Sequence, residues 1–129
     1  MLDKPDAREL LEAVASFLTE EALPALDGGV RFHALVAANV IRIALRELDL
    51  GPALLARECA ELAELLGKKS PPDYPSGAAL ARQLNAELCA RIEAGAADSG
   101  PFRRCVLDYL KDSVGAKLAI DNPKVIGST

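Results

Sequence analysis

The chain has 129 residues and a formal net charge of −4, and half of its residues are hydrophobic. That supplies enough apolar material for one domain with a real core, while an acidic chain without a basic run argues against a nucleic-acid partner. Aromatic residues make up 4% and tryptophan is absent, so the core must come from Leu, Ala, Val and Ile, residues that favour helices over sheets when mixed in this way.

In chain order, a first helix is expected from Ala7 to Leu23. Asp6 is placed to cap it, with Glu9 three residues on at capping-box spacing, and Leu10, Leu11, Val14, Phe17 and Leu18 share one face. Pro24, Asp27, Gly28 and Gly29 close it in a turn. A second helix is expected from Val30 to Leu50. Gly51 is expected to stop it, and Pro52 to open a third at the first helical position, where a missing N–H costs nothing. The third runs to Leu66, with Gly67 as its cap and Leu54, Leu55, Leu62, Leu65 and Leu66 as its stripe.

Residues 68–77, KKSPPDYPSG, hold three prolines and read as a surface linker, or as a lid or partner-facing loop with Tyr74 as its sticky side chain. A fourth helix follows from about Gly77 to Ala94, with Leu80, Leu84, Leu88 and Ile92 on one face. GAADSGP at 95–101 breaks the chain again. A fifth helix runs from Pro101 to Ile120 or Asp121, Pro123 forbids its continuation, and 124–129 is expected to fray. Five helices, no strand pattern and short connections predict an all-α, up-and-down antiparallel bundle in a single domain over 1–129.

The second helix, RFHALVAANVIRIALREL at 31–48, is apolar around most of its circumference, which predicts a central position. Arg31, Asn39, Arg42 and Arg46 share its remaining polar stripe. That stripe reads as a solvated edge, a set of salt bridges, or an anion site, since guanidinium groups one turn apart grip carboxylates and phosphates. The only histidine, His33, reads as a packed or capping group. Glu58 falls between Leu54, Leu62 and Leu65, and Lys117 falls inside the apolar arc of the fifth helix, one turn from Asp121. Buried charges are costly unless paired. Glu58 and Asp121 are therefore expected either to meet cations from Arg42, Arg46 or Lys117, or to snorkel to water. The ligand-binding candidates are Asn39, Arg42, Arg46, Lys117 and Asp121, with Asn122 beside them if the helix end tucks in. Cys59, Cys89 and Cys105 lack metal-ligand spacing and read as small core residues.

No nucleotide-binding, zinc-protease, hydrolase or calcium-loop motif occurs, so no catalytic residue, cofactor or metal is expected. No apolar run approaches the ~20 residues of a membrane span, and the acidic amphipathic start MLDKPDARELLE is unlike a signal peptide. The expectation is a cytoplasmic protein with no membrane contact.

The landmarks PDARELLEAVASFL, GGVRFHALVAANVIRIALREL, LLG, LNAELCARI and KLAIDNP, from Pro5 to Pro123, resemble a small bacterial domain family of unknown function. Genes of that family lie beside, or are fused to, kinase-like proteins of the aminoglycoside-phosphotransferase type, with acyl-CoA dehydrogenases in the same neighbourhoods. The resemblance brings no catalytic residues. It implies an accessory role near acyl-CoA metabolism. The expected function is thus a non-catalytic accessory or protein-interaction module that binds a kinase-like or dehydrogenase partner and self-associates. The competing reading is a binder or enzyme for an acyl-CoA or phosphorylated metabolite, using the polar cluster between the second and fifth helices.

Overall fold

Asp6 sets the start of the first helix as its spacing predicts. In the computed structural model, which describes residues 3–69 and 75–127, the Glu9 amide donates to Asp6 Oδ1 at 3.0 Å and the Asp6 amide donates to Glu9 Oε2 at 2.9 Å. Both arms of the capping box are present, so two amides at the open end of the helix are satisfied by side chains. This helix, α1, spans Ala7–Ser16. It passes into a π-helical stretch, Phe17–Ala22, and a last α turn, α2, Leu23–Ala25. The change of ladder coincides with Thr19, whose hydroxyl donates to the Ala15 carbonyl at 2.8 Å. A side chain on that acceptor competes with the backbone ladder, and by Leu23 the amide bonds the Leu18 carbonyl, five residues back.

The described residues are all helix, turn and loop, without strands. After α2 come α3 (Gly28–Leu65), α4 (Ala78–Glu93), α5 (Gly100–Asp121) and a single turn, α6 (Pro123–Ile126). The largest departure from the sequence reading is α3. The expected second and third helices are one 38-residue helix with Pro52 inside it. Pro52 has no N–H for the Leu48 carbonyl, but Leu48 is 49% exposed, so water reaches that turn and the lost bond is not a buried one. Gly51 helps as well. The clash that drives a residue before proline out of the helical region involves its Cβ, and glycine has none. At the other end, Asn122 (φ −151°) separates α5 from α6, so Pro123 does end α5 but starts another turn where fraying was expected.

The chain divides into two compact units, Met1–Leu50 and Gly51–Thr129. In the first, Arg8 pairs with Asp49 at 2.7 Å and Arg42 donates to Thr19 Oγ1 at 2.8 Å. As one partner advances along the chain the other retreats, so α1 and its extension lie along α3 with opposed directions. Very little is buried here. Ala15, Leu23 and Ala38 are the buried residues among those described. The expectation that residues 31–48 lie buried at the centre of the chain is not met. Phe32, Leu35, Val36 and Val40 are each 44–61% exposed, and so are Leu10, Val14 and Phe17 of the first helix, at 47–53%. A helix apolar on most sides needs covering, and the described residues of the first unit supply little of it. The expectation about apolar runs also changes. By length and composition alone α3 is long and apolar enough to cross a membrane, because aliphatic residues outweigh the isolated arginines among them.

The second unit has a proper core. Cys59 and Leu62 of α3, with Leu66 in the turn that closes it, pack with Ala81, Leu84 and Leu88 of α4 and with Val106 and Tyr109 of α5. Of the predicted stripes, Leu62, Leu66, Leu84 and Leu88 are buried here and Leu55, Leu65 and Leu80 are half-buried around them with Phe102, while Ile92 is exposed. Gly67 and Gly95, in left-handed conformation (φ +74° and +87°), end α3 and α4 with the same paired bonds. Gly67 N–H donates to Glu64 O and Lys68 N–H to Ala63 O. Gly95 N–H donates to Ile92 O and Ala96 N–H to Arg91 O. These are Schellman closures, which only glycine enters without a Cβ penalty. Arg91 donates to the Leu66 carbonyl at 3.0 Å and pairs with Glu87, which also holds Lys68 at 2.9 Å. The Lys68 ammonium, with Arg91, holds the Glu87 carboxyl below its usual range. Of the three cysteines expected in the core, Cys59 is buried and Cys89 and Cys105 are exposed. Tyr74, the proposed sticky residue of the Pro-rich stretch, lies outside the described residues.

Candidate functional site

Two features of the structure have functional potential, one in each unit. The polar feature is in the second unit, where Glu58 of α3 sits among leucines with its side chain 21% exposed. Asn85 of α4 donates from Nδ2 to Glu58 Oε1 at 3.2 Å and to the Ala81 carbonyl at 2.9 Å. Tyr109 of α5 donates its hydroxyl to the same Glu58 oxygen at 3.3 Å and lies 3.5 Å from Asn85 Oδ1. Lys117 reaches toward Glu58 from a largely exposed position, Nζ to Oε1 at 3.9 Å. The expectation that Glu58 finds a cation in the bundle is therefore met by Lys117, at a long distance and with its ammonium in water. No buried side-chain nitrogen or oxygen among the described residues lacks a partner. Three helices thus meet on one carboxylate, which fixes their register.

Burial and the neighbouring Glu58 carboxylate push the Tyr109 phenol up to about 12. It therefore stays protonated and remains a donor at neutral pH, so it serves as neither base nor nucleophile. The consequence for stability can be measured. In the unfolded chain the phenol releases its proton near 10.0, while the folded chain holds it until about 12. Across that window the folded state binds more protons, so stability present below pH 10 is lost as pH rises. Denaturant titrations of Tyr109→Phe should show about 1 kcal/mol lost at pH 7 and a shallower decline between pH 10 and 12 than the parent chain. Parallel declines in the two proteins would show that Tyr109 does not carry the effect.

Beside this cluster an open cavity of about 370 Å³ is lined by Glu61, Glu64, Leu65, Phe102, Cys105, Tyr109 and Asp112. Its charged lining residues are three carboxylates. No group of three or more His, Cys, Asp or Glu among the described residues is arranged to hold a metal ion.

The second feature is the apolar exterior of the first unit. Leu10, Val14 and Phe17 recur at helical spacing along the first helix, and Phe32, Val36 and Val40 recur every four residues along α3. The polar groups on α3 fall elsewhere. Arg42 and Arg46 are half-buried, more so than the valines, and the Arg42 guanidinium is bonded to Thr19. His33 is exposed, with its ring edge-on to Phe32 at 5.9 Å.

Of the five predicted ligand residues, Asn39, Arg42 and Arg46 belong to the first unit, and Lys117 and Asp121 to the second. Asn39, Lys117 and Asp121 are exposed. The sequence reading does not single out Asn85 or Tyr109. Asn85 follows Leu84 one step off the apolar stripe of its helix, where a polar residue is ordinary, so its sequence position carries no signal.

No curated protein and no solved structure matches the chain. Residues 24–125 match the model of the family described as Domain of unknown function (DUF6285), and the chain belongs to that family.

Proposed function

We propose that the chain is a non-catalytic interaction module whose working surface is the apolar exterior of the first unit. The observation that supports this is the row of exposed large side chains on α1 and α3, from Leu10 to Val40, in a unit that buries almost nothing of its own. Monomers rarely leave more than a few hundred Å² of contiguous apolar surface in water, and larger patches mark docking sites. The remaining helices fit a scaffold. They form a packed leucine core, and its polar cluster sets register and holds no activated group. A helical arrangement of up-and-down antiparallel type suits that role. So does an accessory position near acyl-CoA metabolism, beside a kinase-like or dehydrogenase protein in a bacterial cytoplasm, as the family resemblance implies. The competing reading, an anionic metabolite held by Asn39, Arg42, Arg46, Lys117 and Asp121, draws less support. Arg42 is engaged by Thr19, and the cavity beside the polar cluster is lined by carboxylates, the wrong sign for an acyl-CoA or a phosphate.

A photo-crosslinking residue placed at Val36 or Val40 and activated in cells expressing the full chain tests the reading. A discrete protein adduct is expected at these positions and none at the exposed Lys111 of the second unit. A folded chain that yields no protein adduct at Phe32, Val36 or Val40 would sink it.

A further inference from the structure

We infer that the partner covering the first unit is a second copy of this chain, and that two hairpins of α1 and α3 close into one intermolecular four-helix assembly. The inference rests on the docking reading above and names its occupant. Four observations carry it. First, the hairpin lacks a core of its own: with Ala15, Leu23 and Ala38 as its buried residues among those described, about fifty residues have too little burial to stay folded uncovered. The cover must accompany the chain constantly, and a second copy is always supplied in equal amount. Second, the area is right. Leu10, Val14, Phe17, Phe32, Leu35, Val36 and Val40, at 44–61% exposure, offer on the order of 600 Å² per chain, so a symmetric pair that covers them all removes on the order of 1,200 Å² from water, the lower bound for a specific, stable interface. Third, symmetry can complete the assembly. Two antiparallel helices with apolar stripes are half of a four-helix bundle, and a two-fold axis supplies the other half from the same residues. Fourth, charge argues against a bilayer as the cover. α3 would carry Arg31, Arg42 and Arg46 into it, and the segment held against α3 by the Arg42–Thr19 bond would carry Glu20 and Glu21, each costly in hydrocarbon.

Sedimentation equilibrium of the purified full chain at about 10 µM should give twice the 13.6 kDa chain mass. The double substitution Val36→Glu with Val40→Glu should raise the dissociation constant at least ~100-fold and give the single-chain mass, because four unpaired carboxylates would be buried in the pair. Leu107→Glu on α5, exposed in the second unit, should leave the dimer intact. A parent chain at single-chain mass overturns the inference whatever the variants do, and so does a Val36→Glu/Val40→Glu protein that stays dimeric. Failure of the two readings can be told apart. A monomeric parent that crosslinks through position 36 to a different protein refutes the second copy and leaves the docking surface standing. A monomeric parent that floats with phosphatidylcholine–phosphatidylglycerol vesicles and yields no protein adduct refutes both.

Discussion

Replacing Leu62 with alanine is expected to destabilise the second unit by about 3 kcal/mol. Leu62 has no exposed surface and is, with Cys59, one of the two largest fully buried side chains described. It belongs to the one cluster that α3, α4 and α5 share, with Leu66, Leu84, Leu88, Val106 and Tyr109. Truncation removes the transfer free energy of the lost carbons and leaves a void that helices anchored by Arg91 on the Leu66 carbonyl close only in part. Small domains are stable by roughly 5–15 kcal/mol, so a large share would be lost. Urea denaturation followed by circular dichroism measures it, with Leu107→Ala, 51% exposed, as a control that should change stability by less than about 0.5 kcal/mol. Equal, small effects at both positions would mean that Leu62 is not at the centre of the core.

What could be read from the sequence follows from the range of each signal. Many local signals translated directly, although Gly28 and Gly29, expected in a turn, open α3, and Gly51-Pro52 does not interrupt it. Asp6 and Glu9 form their box, Gly67 and Gly95 close their helices, and Pro101 lies in the first turn of α5. Leu55, Leu62, Leu65 and Leu66 of the predicted stripe also face the core, because helical period alone determines which side chains share a face. Burial is different in kind. A helix apolar on most sides tells that something covers it, and whether the cover is the same chain or another lies outside the pattern. Residues 31–48 therefore read as a core helix and are instead largely exposed. The cysteines erred for a related reason. Cys89 and Cys105 sit one step off the buried positions Leu88 and Val106, and a single residue turns a helix by about 100°.

The polar residues divide along the same line. Glu58 stands out in sequence because it interrupts an apolar stripe on its own helix, and the structure finds it accepting from Asn85 and Tyr109. Those two donors arrive from α4 and α5, and Tyr109 reads as one more apolar-face residue until the pairing of helices is known. Arg42 makes the same point in the first unit. Its partner Thr19 is 23 residues away on another element, and the role of that hydroxyl depends on the π-helical stretch, which no propensity announces.

The continuity of α3 is open to a sharper test, because the two descriptions of Gly51-Pro52 predict different signs. If Pro52 opened a separate helix, its missing N–H would be one of the orphans at a helix start, and alanine there would change little. Inside the 38-residue helix the proline ring crowds the preceding turn and leaves the Leu48 carbonyl without its amide. Pro52→Ala should then stabilise the chain by about 1–3 kcal/mol, less than the full proline penalty because water already serves that exposed turn. Gly51→Ala sharpens the test. With Pro52 in place a new Cβ meets the proline ring, and the change should destabilise. In the Pro52→Ala background the same change should gain up to ~1 kcal/mol from the helix preference of alanine. Chemical denaturation of the two single variants and the double variant closes the cycle, and a reversal of sign at position 51 is the expected coupling between touching residues. A neutral Pro52→Ala, with Gly51→Ala costing the same in both backgrounds, would return the chain to two helices joined at residue 51. The exposed row from Phe32 to Val40 would then sit on a helix that ends at Leu50, the last residue of the first unit.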